Sequence, residues 1–293
     1  MRRIFVLLGT LVVMFWNVEN FFDPFDDPLK NDNEFTAAAE RHWTWARFER
    51  KRDGIAQTIL AAGDAGGDLP AIIGLAEVEN RLTVSQLVRR TPLEELGYGF
   101  VHRESPDERG IDVALLYRKD RLRVLAVDSL RVPNVTTRDI LYVKLLGDNV
   151  YHVFVTHLPS KRGGARASDS RREAALNVLQ SAVDSLFAID PDSRIIVMGD
   201  FNAEDCSLTG LIEPSLAVNP ATPGTLKYHG RWERIDHFFL SPALDGRQQI
   251  FAPAFLLEPD IAWLGVKPRR TYIGPRHNGG LSDHLPIILQ INP

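Results

Sequence analysis

Short apolar runs recur along the chain, and turn residues or amphipathic segments separate them. The runs are rich in Val, Ile, Leu and Phe, a composition that favours β-strands. We predict strands over residues 11–17, 71–77, 98–102, 111–118, 122–131, 139–146, 149–156, 194–199, 235–240 and 284–291. Apolar residues recur at helical spacing in three other segments, which predicts helices over residues 47–62, 84–90 and 170–186. The pattern indicates an α/β protein (α+β) with two sheets.

The connections between the predicted strands indicate how the sheets are built. Lys119-Asp120 and Gly147-Asp148-Asn149 join consecutive strands, and connections this short make antiparallel hairpins. No repeat and no linker rich in Gly, Ser or Pro divides the chain, so we predict one domain over residues 1–293. The segments 23–40 and 214–234 are predicted to be long loops, which are often functional or mobile.

Composition and charge narrow the class of protein. The chain has 293 residues and 44% hydrophobic content, enough for a large core without disulfides. Its formal net charge of −4 argues against a protein that coats nucleic acid non-specifically. The single cysteine, Cys206, excludes an internal disulfide and a thiolate metal cluster. A metal site in this chain must therefore use oxygen and imidazole ligands.

The N-terminus permits two interpretations. Arg2 and Arg3 precede an apolar run from Ile4 to Val13, which resembles the opening of a secretory signal. No small-residue cleavage site follows, so residues 1–10 can equally lead into a buried first strand. No other stretch has the length of a transmembrane segment. We favour a cytoplasmic monomer, and an exported or periplasmic protein is the alternative.

The sharpest chemical signal is Gly199-Asp200-Phe201-Asn202 at the end of a predicted strand. Residues two positions apart in a strand face the same way, so the side chains of Asp200 and Asn202 would lie together. A carboxylate and an amide so placed can orient an attacking water and bind a phosphate oxygen. The alternative is an ordinary β-turn, since Gly, Asp and Asn favour turns.

Histidines beside carboxylates form a second signal. Asp283-His284 and Asp236-His237 both stand at the entrance of a predicted strand, and a carboxylate can fix the tautomer of a histidine and raise its basicity. His157 ends another strand, shortly before Lys161 and Arg162. Each histidine alone is also consistent with a structural role.

An acid and an amide near the beginning of the chain indicate a cation site. Asn17 and Glu77 each close an apolar run, and a carboxylate at a strand exit is well placed to bind a hard cation. The alternative for Glu77 is an acid at a helix N-terminus, where the helix dipole favours it. An oxygen-rich ligand set favours Mg²⁺ or Mn²⁺ over zinc.

Taken in order, these motifs resemble those of the endonuclease/exonuclease/phosphatase superfamily. The matching strings are Trp16-Asn17, Glu77, Thr156-His157 with Ser160, Gly199-Asp200-Phe201-Asn202, Ile235-Asp236 and Ser282-Asp283-His284. The resemblance covers nearly the whole chain and implies a four-layer αββα sandwich with two mostly antiparallel sheets packed face to face. The strings at residues 17–22, 77–80 and 160–164 are similar to the bacterial extracellular-nuclease-type branch.

The resemblance also implies roles for the matching positions. Glu77 and Asn17 would hold Mg²⁺ (or Mn²⁺), with Asp283 near the metal. Asp200 would orient or deprotonate the attacking water. The other implied catalytic residues are Asn202 on the scissile phosphate, Asp236 paired with His284, His157 on the pentacoordinate phosphate and Asp112 as the partner of His157. Arg138, Ser160, Lys161 and Arg162 would bind substrate.

The predicted function is a divalent-metal-dependent phosphodiesterase, with an endonuclease acting on DNA or RNA as the favoured form. The alternatives are a phosphatase or a phospholipase C-type hydrolase of inositol phosphates, nucleotides or sphingomyelin, and a non-catalytic binding module. A broken basic rim would favour a polyanion. Its candidate members are Arg41, Arg47, Arg50, Lys51, Arg52, Lys161, Arg162, Arg166, Lys267, Arg269, Arg270 and Arg276.

Overall fold

The computed structural model describes residues 10–160 and 165–292, without the side chains of residues 165–168. The α-helices in these ranges are α1 (Trp45–Gly66), α2 (Arg81–Arg89) and α3 (Ala165–Ile189). The strands are β1 (Leu11–Phe21), β2 (Ile72–Val78), β3 (Tyr98–His102), β4 (Asp112–Arg118), β5 (Arg123–Leu130), β6 (Ile140–Leu146), β7 (Val150–His157), β8 (Arg194–Asp200), β9 (Ser215–Ala217), β10 (Leu226–Tyr228), β11 (Arg231–Glu233), β12 (Asp236–Leu240), β13 (Gly246–Ile250), β14 (Leu257–Pro259), β15 (Val266–Pro268), β16 (Tyr272–Ile273), β17 (Arg276–His277) and β18 (Ile287–Ile291).

Two large sheets form the centre of the molecule. The first has the strand order β3-β4-β2-β1-β18-β13-β9, and the second has the order β12-β8-β7-β6-β5. Most neighbouring strands are antiparallel, and β1 with β2, β9 with β13, and β7 with β8 are parallel. The hairpin predicted at Gly147-Asp148-Asn149 is formed by β6 and β7. The hairpin predicted at Lys119-Asp120 is wrong, because β4 belongs to the first sheet and β5 to the second, so this short connection crosses between the sheets. The expectation of mostly antiparallel sheets is nevertheless confirmed.

Alternating side chains place the two sheets face to face. On β7, Val153 and Val155 belong to the core between the sheets, whereas Phe154 lies in a second core beneath α3. The sulfur of Met198 on β8 lies only 2.9 Å from where a Cβ on Gly74 of β2 would stand, so the sheets approach closely there. Helix α1 packs Phe48 and other apolar residues onto the first sheet. The result is the four-layer αββα sandwich that the resemblance implied.

The observed elements extend or add to the predicted ones. Strand β1 continues to Phe21, four residues beyond its predicted end, and its first nine residues are all buried. Strand β13 was not predicted, because Gly246-Arg247-Gln248-Gln249 lacks an apolar pattern. The segment 214–234, predicted as loop, contains three short strands. Residues 1–9 of the signal-like run lie outside the described part of the chain. Among described residues, no helix has the length and apolar character needed to cross a membrane.

Candidate active site

The strand register brings distant motif residues to one edge of the sandwich. His157 ends β7, Asp200 ends β8 and Asp236 begins β12, and these three lie side by side across neighbouring strands. In the facing sheet, Asn17 on β1 lies beside Ala76, so Glu77 emerges at the same edge. Parallel strands end on the same side, and antiparallel strands begin where their neighbours end. The sandwich therefore gathers these five residues at one edge, around a cleft.

The cleft has a volume of about 530 Å³, and most of the residues that line it are polar or charged. Residues from both sheets and from the loops that connect their strands contribute to it. It is lined by Asn17, Glu19, Asn20, Glu77, Arg109, His157, Ser160, Asp200, Asn202, Leu226, Lys227, Tyr228, Glu233, Ile235, Lys267, Pro268, Arg270, Asp283 and His284.

Asp200 occupies the centre of the cleft floor. Its Oδ2 atom accepts a hydrogen bond from Asn17 Nδ2 at 3.0 Å and lies 3.5 Å from His157 Nε2 and 3.9 Å from His284 Nε2. Its Oδ1 atom accepts from the backbone N–H of Asn202 at 2.9 Å. Burial and the neighbouring Asp236 carboxylate raise the pKa of Asp200 to about 7, against the opposing effects of His284 and Asn17. A carboxyl with that pKa can exchange protons near neutral pH.

His284 and Asp236 form a buried pair. His284 Nδ1 lies 2.8 Å from Asp236 Oδ2, which leaves Nε2 directed toward Asp200. Burial alone would lower the pKa of His284, but Asp236 and Asp200 raise it well above its ordinary value. The backbone around His284 is also fixed, because Ser282 Oγ accepts from its N–H and Trp16 Nε1 donates to its carbonyl oxygen. The pairing expected from the resemblance is present in the structure.

The second predicted Asp-His pair is not formed. His237 points away from Asp236, because consecutive residues of a strand face opposite sides of the sheet. Its Nδ1 lies 2.8 Å from Glu213 Oε1 and its Nε2 lies 3.0 Å from the carbonyl oxygen of Ala203. Both partners accept hydrogen bonds, so both ring nitrogens must donate, which requires a protonated ring. His237 has a structural position behind the cleft.

Glu77 stands in a backbone conformation that directs its carboxylate into the cleft. Its φ of 61° is in the left-handed region, at an irregularity in the pairing of β2 with β4. The Oε2 atom accepts from the backbone N–H of Asn20 at 2.8 Å, and Oε1 lies 4.0 Å from His157 Nε2. Asn17 Oδ1 accepts from the backbone N–H of Glu19 at 3.0 Å. Both predicted cation ligands therefore lie at the cleft with oxygen atoms oriented by the backbone.

The charge pattern of the cleft fits a bound divalent cation. Glu77, Asp200 and Asp283 all line it, and Asp236 has a buried Oδ1 atom without a hydrogen-bond partner. Carboxylates this close repel one another, and a hard cation with oxygen ligands would relieve the repulsion. The donor set therefore suits Mg²⁺ or Mn²⁺ better than a thiophilic ion.

A network around Glu19 was missed by the sequence analysis. Glu19 also has a positive φ, 48°, and its Oε1 atom accepts from Arg270 at 3.0 Å. Arg270 also donates to Asp283 Oδ2 at 2.9 Å, and the buried Lys51 donates to the carbonyl oxygen of Glu19 and to Thr271. Burial and the Asp283 charge raise the pKa of Glu19 to about 7. This network fixes Asp283, the third predicted metal-site residue, at the cleft edge.

Arg109 is a further cleft residue to which the sequence analysis assigned no role. Its guanidinium donates to Asn20 Oδ1 at 2.5 Å and lies 3.7 Å from Glu77 Oε2. Ser160 and Asn202 also line the cleft, but the amide of Asn202 donates to the carbonyl oxygen of Leu158 at 2.9 Å. The φ of 51° at Asn202 marks a turn rather than a continuing strand.

Two predicted residues have other positions than expected. Arg138 is buried, and its guanidinium donates to Asp107 and to the carbonyl oxygens of His157 and Leu158. It therefore supports the end of β7 and does not line the cleft, although it does line an adjoining groove. Asp112 does not contact His157; its Oδ2 atom lies 3.7 Å from His102 Nε2. Asp112, the first residue of β4, therefore faces His102 at the end of β3.

The predicted basic rim is only partly present. In its first group, Arg41 pairs with Glu34 at 2.9 Å, Lys51 is buried and Arg52 pairs with Asp53. Of the last group, Lys267 and Arg270 line the cleft. Lys161 and Arg162, predicted to bind substrate, lie outside the described residues, as does the side chain of Arg166.

Comparison with known proteins shows the family of the chain. Residues 12–293 match the model of a family described as the endonuclease/exonuclease/phosphatase family. The chain belongs to the endonuclease/exonuclease/phosphatase family. Its members are hydrolases of phosphoesters, and the chain is a hydrolase of that kind. A search of curated proteins found no match.

Solved structures of this family share the fold. A Caenorhabditis elegans TDP2 structure is 17% identical with a TM-score of 0.65, covering 97% of this chain and 74% of that chain. A mannosyl-6-phosphatase from Bacteroides thetaiotaomicron is 15% identical with a TM-score of 0.64, covering 97% of this chain and 100% of that chain. An endonuclease/exonuclease/phosphatase family protein from the same organism is 16% identical with a TM-score of 0.63, covering 96% of this chain and 97% of that chain. At these identities the likeness shows the fold alone.

Proposed function

We propose that this protein is a divalent-metal-dependent phosphodiesterase, and that it acts as an endonuclease on DNA or RNA. The observation that carries the proposal is the position of Asp200 Oδ2. It lies 3.0 Å from Asn17 Nδ2, 3.5 Å from His157 Nε2 and 3.9 Å from His284 Nε2 on the floor of one cleft. A carboxylate among hydrogen-bond donors suits the activation of a water beside a phosphate.

The cleft residues supply the functions that phosphodiester hydrolysis requires. Water attacks phosphorus, and Asp200 accepts the proton that the water loses. The bond from phosphorus to the leaving oxygen breaks, and that oxygen takes up a proton from solvent. His284, held protonated by Asp236, and His157 stabilise the negative charge that builds on the phosphate oxygens. Glu77, with Asn17, would hold the divalent cation. The chemistry that such a cation would supply is neutralisation of the negative charge on the phosphate.

A second groove supports a polymeric substrate. It has a volume of about 540 Å³ and shares Arg109 and Ser160 with the catalytic cleft, so the two depressions adjoin. Arg138 and Arg171 line this groove as well, together with the acidic Asp107 and Glu108. Cations along adjoining depressions are suited to successive phosphates of a nucleic-acid strand. A small phosphomonoester would occupy only the catalytic cleft.

The decisive experiment is an activity screen with purified full-length protein and added Mg²⁺ or Mn²⁺. Its substrates are supercoiled plasmid, single-stranded RNA, sphingomyelin, inositol phosphates and a hexose 6-phosphate. We expect nicking of plasmid or internal cleavage of RNA, with no activity in the matched variant Asp200→Asn. Release of phosphate from the sugar or inositol phosphates alone would replace the nuclease assignment with a phosphatase. Inactivity on every substrate would support a binding module.

A further inference from the structure

A second cluster of potential metal ligands lies between β3 and β4. His102 ends β3, Asp112 begins β4 and Glu104 lies in the loop between them. His102 Nε2 lies 3.7 Å from Asp112 Oδ2, and His102 Nδ1 lies 3.6 Å from Glu104 Oε1. One ligand atom from each of the three residues lies within 4.8 Å of the other two. None of the three is among the described residues that line the catalytic cleft.

Two buried atoms in this cluster have no hydrogen-bond partner. They are His102 Nε2 and Asp112 Oδ1, and their side chains are only 1% and 3% exposed. Buried polar atoms are nearly always satisfied, because leaving one without a partner costs its lost hydration. Each of these two facing residues therefore has a buried polar atom whose partner the described residues do not supply.

The spacing of the His102 ring and the Asp112 carboxylate suits a bridging cation better than a direct hydrogen bond. At 3.7 Å, His102 Nε2 and Asp112 Oδ2 are too far apart for a hydrogen bond. When two ligand atoms each lie about 2.0–2.2 Å from one ion, the distance between the two ligand atoms is close to the one observed here.

We propose that His102, Glu104 and Asp112 bind a borderline divalent cation, represented by Zn²⁺, at a site separate from the catalytic cleft. One imidazole and two carboxylates form a ligand set that Zn²⁺ accepts, with water completing the coordination. Glu104 provides the entry path, since its side chain is 62% exposed while the other two are buried. This site is independent of which phosphoester the enzyme cuts.

The site would stabilise one wall of the cleft. The loop that it closes carries Asp107, which binds Arg138, and Arg109, which contacts Asn20 in the cleft. A cation that joins both ends of this loop restricts its motion and so holds Arg109 in position. The predicted role of the ion is structural, and the reaction itself does not require it.

The test measures zinc stoichiometry. Full-length protein is stripped with a chelator, dialysed against Zn²⁺ with excess Mg²⁺, and assayed for bound zinc by mass spectrometry. We expect one zinc ion per chain in the wild type and in Glu77→Gln, which removes a cleft ligand instead. His102→Gln and Asp112→Asn should lose it. His152→Gln, the matched control at a buried histidine that bonds Tyr142, should retain it.

Glu104→Gln keeps the proposal testable if the buried variants fail to fold. Because Glu104 is exposed, its substitution should leave the fold intact and weaken zinc binding at least roughly tenfold, as expected for loss of one direct ligand. X-ray absorption of the bound zinc should show nitrogen and oxygen neighbours without sulfur. Full zinc binding in both Glu104→Gln and His102→Gln, or loss of zinc in Glu77→Gln, would overturn the proposal.

Discussion

The Asp236–His284 pair allows the most direct test of the proposed mechanism. Both side chains are buried, and the hydrogen bond between them is 2.8 Å long. A hydrogen bond to a charged group contributes about 1.5–3 kcal/mol, and a tenfold change in rate corresponds to about 1.4 kcal/mol. Loss of the bond alone should therefore slow the reaction by roughly 10- to 150-fold. Loss of the positioned imidazole should cost about a hundredfold or more.

The assay is a double-mutant cycle on kcat with a chromogenic phosphodiester. Asp236→Asn and His284→Ala should each lower kcat by about a hundredfold, and the double variant should fall little further, since cooperating catalytic residues are not additive. Thermal stability should change little. His152→Gln serves as the control for loss of a buried histidine outside the cleft. If the losses of kcat in the two single variants multiplied in the double variant, a shared function would be refuted. The same conclusion would follow if either single variant kept near-wild-type kcat while its melting temperature fell by several degrees.

Three further predictions concern metal, salt and pH. EDTA should abolish activity, and Glu77→Gln should raise the Mg²⁺ concentration needed for half-maximal rate. Full turnover in metal-free buffer would contradict both expectations. Affinity for duplex DNA should fall with salt, and replacing Lys161 and Arg162 by alanine should reduce the log–log slope by about 2; a salt-independent affinity would count against a nuclease. Burial lowers the pKa of His237, but Cys206 and Glu213 raise it to about 10. The protonated ring therefore stabilises the folded protein fully below pH 6.5, and this contribution is lost as the pH rises through about 10. Glu213→Gln should accordingly destabilise the protein by about 2 kcal/mol at pH 6 and far less above pH 10 in urea titrations, and an equal loss at both pH values would exclude a charged His237.

Local pattern in the sequence determined the main elements and where the candidate chemistry lies along them. The uninterrupted apolar run Val153-Phe154-Val155 on β7 is typical of a strand buried on both faces, and the two valines lie in one core while Phe154 lies in the other. The predicted carboxylates and histidines stand at strand ends because a strand interior between two cores has no room for charge. His157 and Asp200 are the clearest examples. These features depend on the nearest few residues, so the sequence alone contains them.

Tertiary structure decided which of those residues meet. His237 is the neighbour of Asp236 in the sequence, yet the carboxylate binds His284, because alternation turns adjacent strand residues to opposite faces. Asp112 faces His102 instead of His157, since its contacts depend on which strands lie side by side. Arg138 supports the end of β7 for the same reason. Strand order and register arise from contacts between distant segments, and one-dimensional periodicity carries no record of them.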